Sequence, residues 1–99
     1  MSKKVYKYFL NAVEVQLISI HEDAEILTAA LQGLQLCLWA LVDTDKPIVK
    51  RKIFIRGTGH DAEGLGKHIS TFQMNDGEFV FHVFDEPEPE FAIVNIKPE

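Results

Sequence analysis

Apolar residues recur at every second position along much of this chain, the spacing of strands rather than helices. Val5-Tyr6-Lys7-Tyr8-Phe9-Leu10 is β-branched and aromatic and predicts a first strand, with Asn11-Ala12 turning into Val13 to Ser19. In that second strand Val13, Val15 and Leu17 share one face and Glu14 and Gln16 the other, the pattern of half-burial. Leu34 to Val42 is the most apolar stretch and is apolar on both faces, which predicts a central strand. Asp43-Thr44-Asp45-Lys46-Pro47 is a turn cluster, and Ile48 to Arg56 is a further strand. After the loop from Gly57 to His68, Ile69 to Met74 and Glu78 to Phe84 flank Asn75-Asp76-Gly77 as a hairpin. In its second arm Phe79, Phe81 and Val83 alternate with Val80, His82 and Phe84, so this strand too is apolar on both sides.

Residues 22–33 read two ways. Acids at the start, Ile26/Ala30 and Leu27/Leu31 four apart, and Gly33 as a cap describe a short helix near residues 22–32. The same segment, taken as Ile26 to Gln32 turning at Gln32-Gly33, is one arm of a hairpin. Either way, short strands with turns at regular spacing predict a mainly β protein, a small antiparallel barrel or sandwich of about six to eight strands. The strands fill residues 1–85 as a single domain. Residues 86–99 form an acidic, proline-containing C-terminal extension that ends in the apolar piece Phe91 to Ile96.

Composition narrows the class. The 99 residues are 46% hydrophobic and 25% charged, ordinary globular values. There is no apolar run long enough to span a membrane, and no signal-peptide core follows the Met-Ser-Lys-Lys start. A single cysteine, Cys37, excludes an internal disulfide framework. These features predict a cytoplasmic protein with no membrane contact. The net charge of −5 argues against general nucleic-acid binding. Ten aromatic side chains (seven Phe, one Trp, two Tyr) are a heavy load for so short a chain. A homo-oligomer, with Trp39 or the Phe79 to Phe84 strand at its interface, is therefore expected.

Cys37-Leu38-Trp39-Ala40-Leu41-Val42-Asp43 followed by Ile55-Arg56-Gly57-Thr58-Gly59-His60 resembles a family of small, functionally uncharacterised proteins common in bacteriophage and prophage genomes. Val5-Tyr6-Lys7-Tyr8, Ala24-Glu25-Ile26-Leu27, Thr71-Phe72-Gln73 and Phe79 to Phe84 extend the resemblance over residues 3–85. The chain departs from the family pattern at Gln32-Gly33, where Asn-Gly is commoner, and in its tail from Glu86 to Glu99. The resemblance implies a strand over Ile26 to Gln32 and a phage setting, hence a host cell's cytoplasm. It brings no catalytic residues.

Charge is concentrated in one place. Lys46, Lys50, Arg51, Lys52 and Arg56 lie within eleven residues that contain no acid. On an extended strand Lys50, Lys52 and Arg56 share a side with Phe54, while Val49, Ile53 and Ile55 take the other. Such a strand is either a sheet edge guarded by lysines or an electropositive surface for an anion. Gly57-Thr58-Gly59-His60 follows directly, and its glycines permit turns in which backbone N–H groups converge on an anion. It is neither a Walker loop nor a dinucleotide fingerprint. The candidate ligand-binding set is thus Lys50, Lys52, Arg56, Gly57, Thr58, Gly59 and His60, completed by Lys67 or His68.

His60, His68 and His82, with Asp61, fit no standard metal spacing, and His82 reads as a hydrogen-bonded structural histidine. Cys37 lies in the most apolar strand, where a thiol is inert packing. No metal, cofactor or catalytic constellation is expected, and the chain is expected not to be an enzyme. The leading expectation is a non-enzymatic binder that sequesters a small anionic, nucleotide-derived ligand. The alternative is an interaction module that inhibits a host defence protein.

Overall fold

A computed structural model of the chain describes residues 2–88, and every regular element among them is a strand. These are β1 (Lys3–Phe9), β2 (Val15–His21), β3 (Glu25–Gln32), β4 (Gln35–Asp43), β5 (Ile48–Gly57), β6 (His68–Met74) and β7 (Phe79–Asp85). They form two antiparallel sheets, ordered β1-β4-β3 and β2-β5-β7-β6. The sheets pack as a sandwich and do not close into a barrel. No helix among the described residues is long and apolar enough to cross a membrane.

The segment 22–33 is strand, not helix. Asp23 turns the chain with φ +62°, and Gly33, at φ +63°, stands in the two-residue turn that sets Gln32 opposite Gln35. Left-handed backbone at that position suits glycine. Alternation then buries Ala29 against the opposite sheet, a burial that a helix on this short loop would not supply. The second hairpin closes through Asn75, Asp76 and Gly77, all at positive φ, with Glu78 N–H donating to Asn75 O.

The core lies between the sheets. Leu36, Leu38, Ala40 and Val42 of β4 meet Ile18 and Ile20 of β2, Ile53 and Ile55 of β5, Phe72 and Val83. In β2, therefore, the buried side is the Ile18/Ile20 side, while Val15 and Leu17 of the predicted apolar face stay about half exposed. β5 is an interior strand paired with both β2 and β7, which corrects the reading of its lysines as guards of a sheet edge. Its inward position 51 carries a cation. Arg51 donates from Nε and Nη2 to the Asp85 carboxylate (2.9 and 2.5 Å) and from Nη1 to Ala24 O (2.7 Å). The Asp85 carboxylate raises the Arg51 pKa above its ordinary value.

Where β3 meets β6 the sheets are joined by a side chain rather than a ladder. Both strands are irregular there, at Ile26/Thr28 and at His68/Ser70, as bulges at sheet margins often are. Ser70 Oγ accepts the Ala29 N–H (2.9 Å) and shares a hydrogen bond with Thr28 Oγ1 (3.0 Å). Ser70→Ala removes the acceptor from a part-buried N–H and should cost about 1–3 kcal/mol. Urea unfolding measures that loss, and hydrogen exchange should show the Ala29 amide losing most protection. An unchanged Ala29 amide would mean the joint lies elsewhere.

Candidate functional site

Alternation along β5 puts Lys50, Lys52, Phe54 and Arg56 on the outer face of the four-stranded sheet. Register supplies their neighbours: Phe54 lies between Val15 and Phe84, Arg56 is opposite His82, Thr71 is opposite His82 on the far side, and His68 is opposite Phe84. Lys50 Nζ donates to Ser19 Oγ (2.7 Å), which holds the first cation of the column. The predicted outer set Lys50, Lys52 and Arg56 is thus assembled as a column, flanked by two phenylalanines and two histidines.

The polar groups beside Arg56 form a continuous chain. Thr58 Oγ1 is 2.9 Å from His82 Nε2, His82 Nδ1 is 2.9 Å from Thr71 Oγ1, and Thr71 Oγ1 is 2.9 Å from His68 Nε2. A neutral imidazole has one donor and one acceptor, and each hydroxyl can do either. With the His82 proton on Nδ1, it donates to Thr71, Thr71 donates to His68, and Thr58 donates to His82. With the proton on Nε2 every donor in the chain reverses. His82 is the hydrogen-bonded histidine the sequence suggested, and its position opposite Arg56 makes it part of the site as well.

Arg56 is held in place by three backbone carbonyls. Its Nε donates to Asp61 O (2.8 Å), and Nη1 to Glu14 O (2.7 Å) and Ile55 O (3.1 Å). Its guanidinium carbon lies 5.6 Å from the Phe54 ring centroid. These contacts tie the loop after β5 to the connection before β2. The two N–H groups of Nη2 have no protein acceptor among the described residues, so they are the ones an anion would meet.

The Gly57–His60 turn stands next to this face. Thr58 N–H donates to Val80 O, His60 N–H to Gly57 O, and Gly59 adopts φ +90°. The His60 ring packs over Gly57 so closely that a Cβ there would stand 3.1 Å from His60 Cε1. Gly57, Thr58 and His60, together with Glu78, Phe79, Val80 and Phe81, line an open, largely apolar groove of about 570 Å³ whose one carboxylate among the described residues is Glu78. The Phe79 and Phe81 rings are stacked at 6.3 Å, and Phe72 backs Phe81 at 5.5 Å. Thr58 belongs to both places: it lines the groove, and its hydroxyl bonds His82.

Lys67 does not join this assembly. Its carbonyl accepts the Asp85 N–H, and with His68 it lines a separate cavity of about 350 Å³ beside Glu25, Leu27, Arg51 and Asp85. His68 reaches the site through Thr71 and through ring contacts with Phe84 (5.4 Å) and His82 (6.4 Å). Sequence reasoning did not include Thr71, Phe79, Phe81 or His82 in the candidate set, although the alternation of Phe79 and Phe81 against His82 already separated a groove wall from an outer polar position. Among the described residues no three His, Cys, Asp or Glu side chains are arranged to hold a metal ion. Cys37 is fully buried.

Fold and site together define a two-sheet antiparallel domain with a cationic, aromatic outer face and, on the other side of β7, an apolar groove, with Thr58 lining the groove and bonded to His82 of the outer face. The chain belongs to the family described as a domain of unknown function, DUF7352, whose profile matches residues 1–93. Comparison with curated proteins and with solved structures gives no match.

Proposed function

We propose that the chain is a non-enzymatic binding protein that sequesters a small anionic ligand of the nucleotide-derived class. The flat ring lies in the groove against Phe79 and Phe81, and the anionic group lies on the outer face at Arg56, with Lys52 and Lys50 beyond. The observation that carries this reading is Thr58, which lines the apolar groove and is bonded to His82 directly opposite Arg56. Aromatic stacking and charge-assisted donors on one ligand are the combination such molecules need. The resemblance to phage proteins supports a counter-defence role, in which the protein lowers the free concentration of a host immune signal during infection. A second reading, a module that binds and inhibits a host defence protein, is favoured by a different cavity. It measures about 440 Å³ and is lined by Glu22, Asp23, Glu86 and Glu88 together with the Arg51–Asp85 ion pair and His21, so acids outnumber cations on a surface offered to a basic segment.

Calorimetry with a panel of cyclic dinucleotides and ADP-ribose derivatives tests the first reading. One member should bind the wild type. Arg56→Ala should weaken that binding by about tenfold to a hundredfold, since a charge-assisted bond contributes about 1.5–3 kcal/mol, and Phe79→Ala by a similar factor, since stacking on a base contributes about 1–3 kcal/mol. Lys52→Ala leaves the loop anchors untouched and should weaken it less. Absence of binding across the panel, or equal binding by all four proteins, would exclude the site. Recovery of one basic host protein on immobilised wild type, and its loss with Glu22→Lys, would favour the second reading.

A further inference from the structure

The three-stranded sheet has an outer face of its own, and its composition is patterned by strand. Register places Lys3, Val5, Lys7 and Phe9 of β1 on that face, then Asp43, Leu41, Trp39 and Cys37 of β4, then Glu25, Thr28, Ala30 and Gln32 of β3. Val5 is 57% exposed and Phe9 68% exposed, and beside them Trp39 and Leu41 are only half-buried. Apolar side chains thus run down the middle and along β1, on the side of the sheet facing away from the core. Of the charged groups, β1 contributes Lys3 and Lys7 and β3 contributes Glu25 at the margins, while Asp43 of β4 lies opposite Lys3 and Lys7 Nζ reaches across the sheet to Gln32 Oε1 (2.7 Å). This is a surface that matches a copy of itself.

We propose that the outer face of the β1-β4-β3 sheet is a homodimer interface, packed face to face about a two-fold axis that runs along β4. Two identical sheet faces can meet about an axis along the strands or about one across them. The axis across the strands lays β1 on the partner's β1 in reverse, which keeps its lysines away from Glu25. The axis along β4 lays β1 on the partner's β3, at the cost of setting Asp43 opposite the partner's Asp43. Glu25 is level with Val5 and Leu41, so the partner's Glu25 then falls between Lys3 and Lys7. Trp39, on the central strand, packs near the axis against the partner's Trp39. Sheets packed this way lie about 10 Å apart with strands roughly aligned, within reach of lysine and glutamate side chains. Tryptophan at the centre of an interface ringed by charge is the arrangement that concentrates binding energy. The pairing uses neither Arg56 nor the groove, so it stands or falls independently of the ligand.

Light scattering over a concentration series reads the result. The wild type should show twice the chain mass of 11.2 kDa at about 100 µM. Trp39→Lys should run at the single-chain mass with an unchanged far-ultraviolet dichroism spectrum. Glu25→Lys should raise the dimer dissociation constant by about tenfold or more, because like charges then meet at both symmetry-related contacts. Adding Lys3→Glu and Lys7→Glu to Glu25→Lys should restore the wild-type constant, while Arg56→Ala should leave it unchanged. A wild type that stays at the single-chain mass at about 100 µM overturns the proposal, whether the face is then free or covered by another partner. So does a Trp39→Lys protein that remains dimeric. Charge reversal without effect, or without rescue, overturns the axis along β4.

Discussion

Leu38→Ala is expected to lower the free energy of unfolding by about 3–5 kcal/mol. Leu38 is fully buried, and its strand neighbours in register are Tyr8 and Ala29. One of those neighbours is already small, so collapse around the missing side chain is limited and most of the cavity persists. Folded domains of this size hold only about 5–15 kcal/mol in reserve, and one such cavity uses a large share of it. Urea unfolding followed by tryptophan fluorescence gives the shift in midpoint at constant slope. Leu34→Ala is the control: Leu34 has the same parity along the sequence but is 96% exposed in the β3–β4 turn. Its loss should change stability by less than about 0.5 kcal/mol. Equal effects at the two positions would contradict the burial described above.

The second large effect belongs to Arg51→Met, expected to cost about 2–3 kcal/mol. The Arg51 and Asp85 side chains are 17% and 15% exposed, so water still screens the pair, and the cost falls below that of a wholly buried ion pair. Methionine retains the aliphatic stem but removes the guanidinium from the Asp85 carboxylate, which among the described residues keeps only the Glu86 N–H on Oδ1, and takes the Arg51 donor from the Ala24 carbonyl. The doubly substituted Arg51→Met, Asp85→Leu protein should recover at least half of the loss, because the uncompensated carboxylate is then gone. Urea midpoints of the two single variants and the double variant complete the cycle. Additive losses would mean the two side chains act independently.

Period-2 alternation was enough to read the strands, because a sheet with one face on a core repeats its demand at every second residue. It placed Ile53 and Ile55 inward and Lys50, Lys52 and Arg56 outward correctly, since charge and branched apolar residues segregate cleanly on β5. It misjudged β2, where both faces are apolar: Val13, Val15 and Leu17 compete with Ile18 and Ile20, and only pairing with β5 decides between them. The same limit left residues 22–33 open, because alanine and leucine suit a helix until a hairpin partner is present. For the site, the column on β5 and the glycine turn after it were legible because they are contiguous. Phe79, Phe81, Thr71 and His82 reach the site through β5–β7 and β6–β7 register, which local sequence does not encode. Arg51 looked like part of the basic cluster, yet its parity sends it inward to a carboxylate 34 residues further along.

The order in which the strands leave the sequence and enter the sheets bears on how the chain acquires its fold. β1 lies in one sheet, β2 in the other, β3 and β4 return to the first, and β5 to β7 complete the second. Only the β3–β4 and β6–β7 pairings are local. β1 waits for β4 and β2 waits for β5, so each must close a long loop before its hydrogen bonds repay the entropy. Folding should therefore belong to the slow, millisecond-to-second regime of non-local β proteins. During synthesis the β3–β4 hairpin is the first unit able to form, while Val15 and Leu17 stay in an unpaired segment until β5 has emerged. The β1-β4-β3 sheet is complete once β4 has emerged, but the second sheet draws β2 from the first half and β5 to β7 from the rest, so a break between β4 and β5 should yield a C-terminal fragment that completes its sheet only with the N-terminal one.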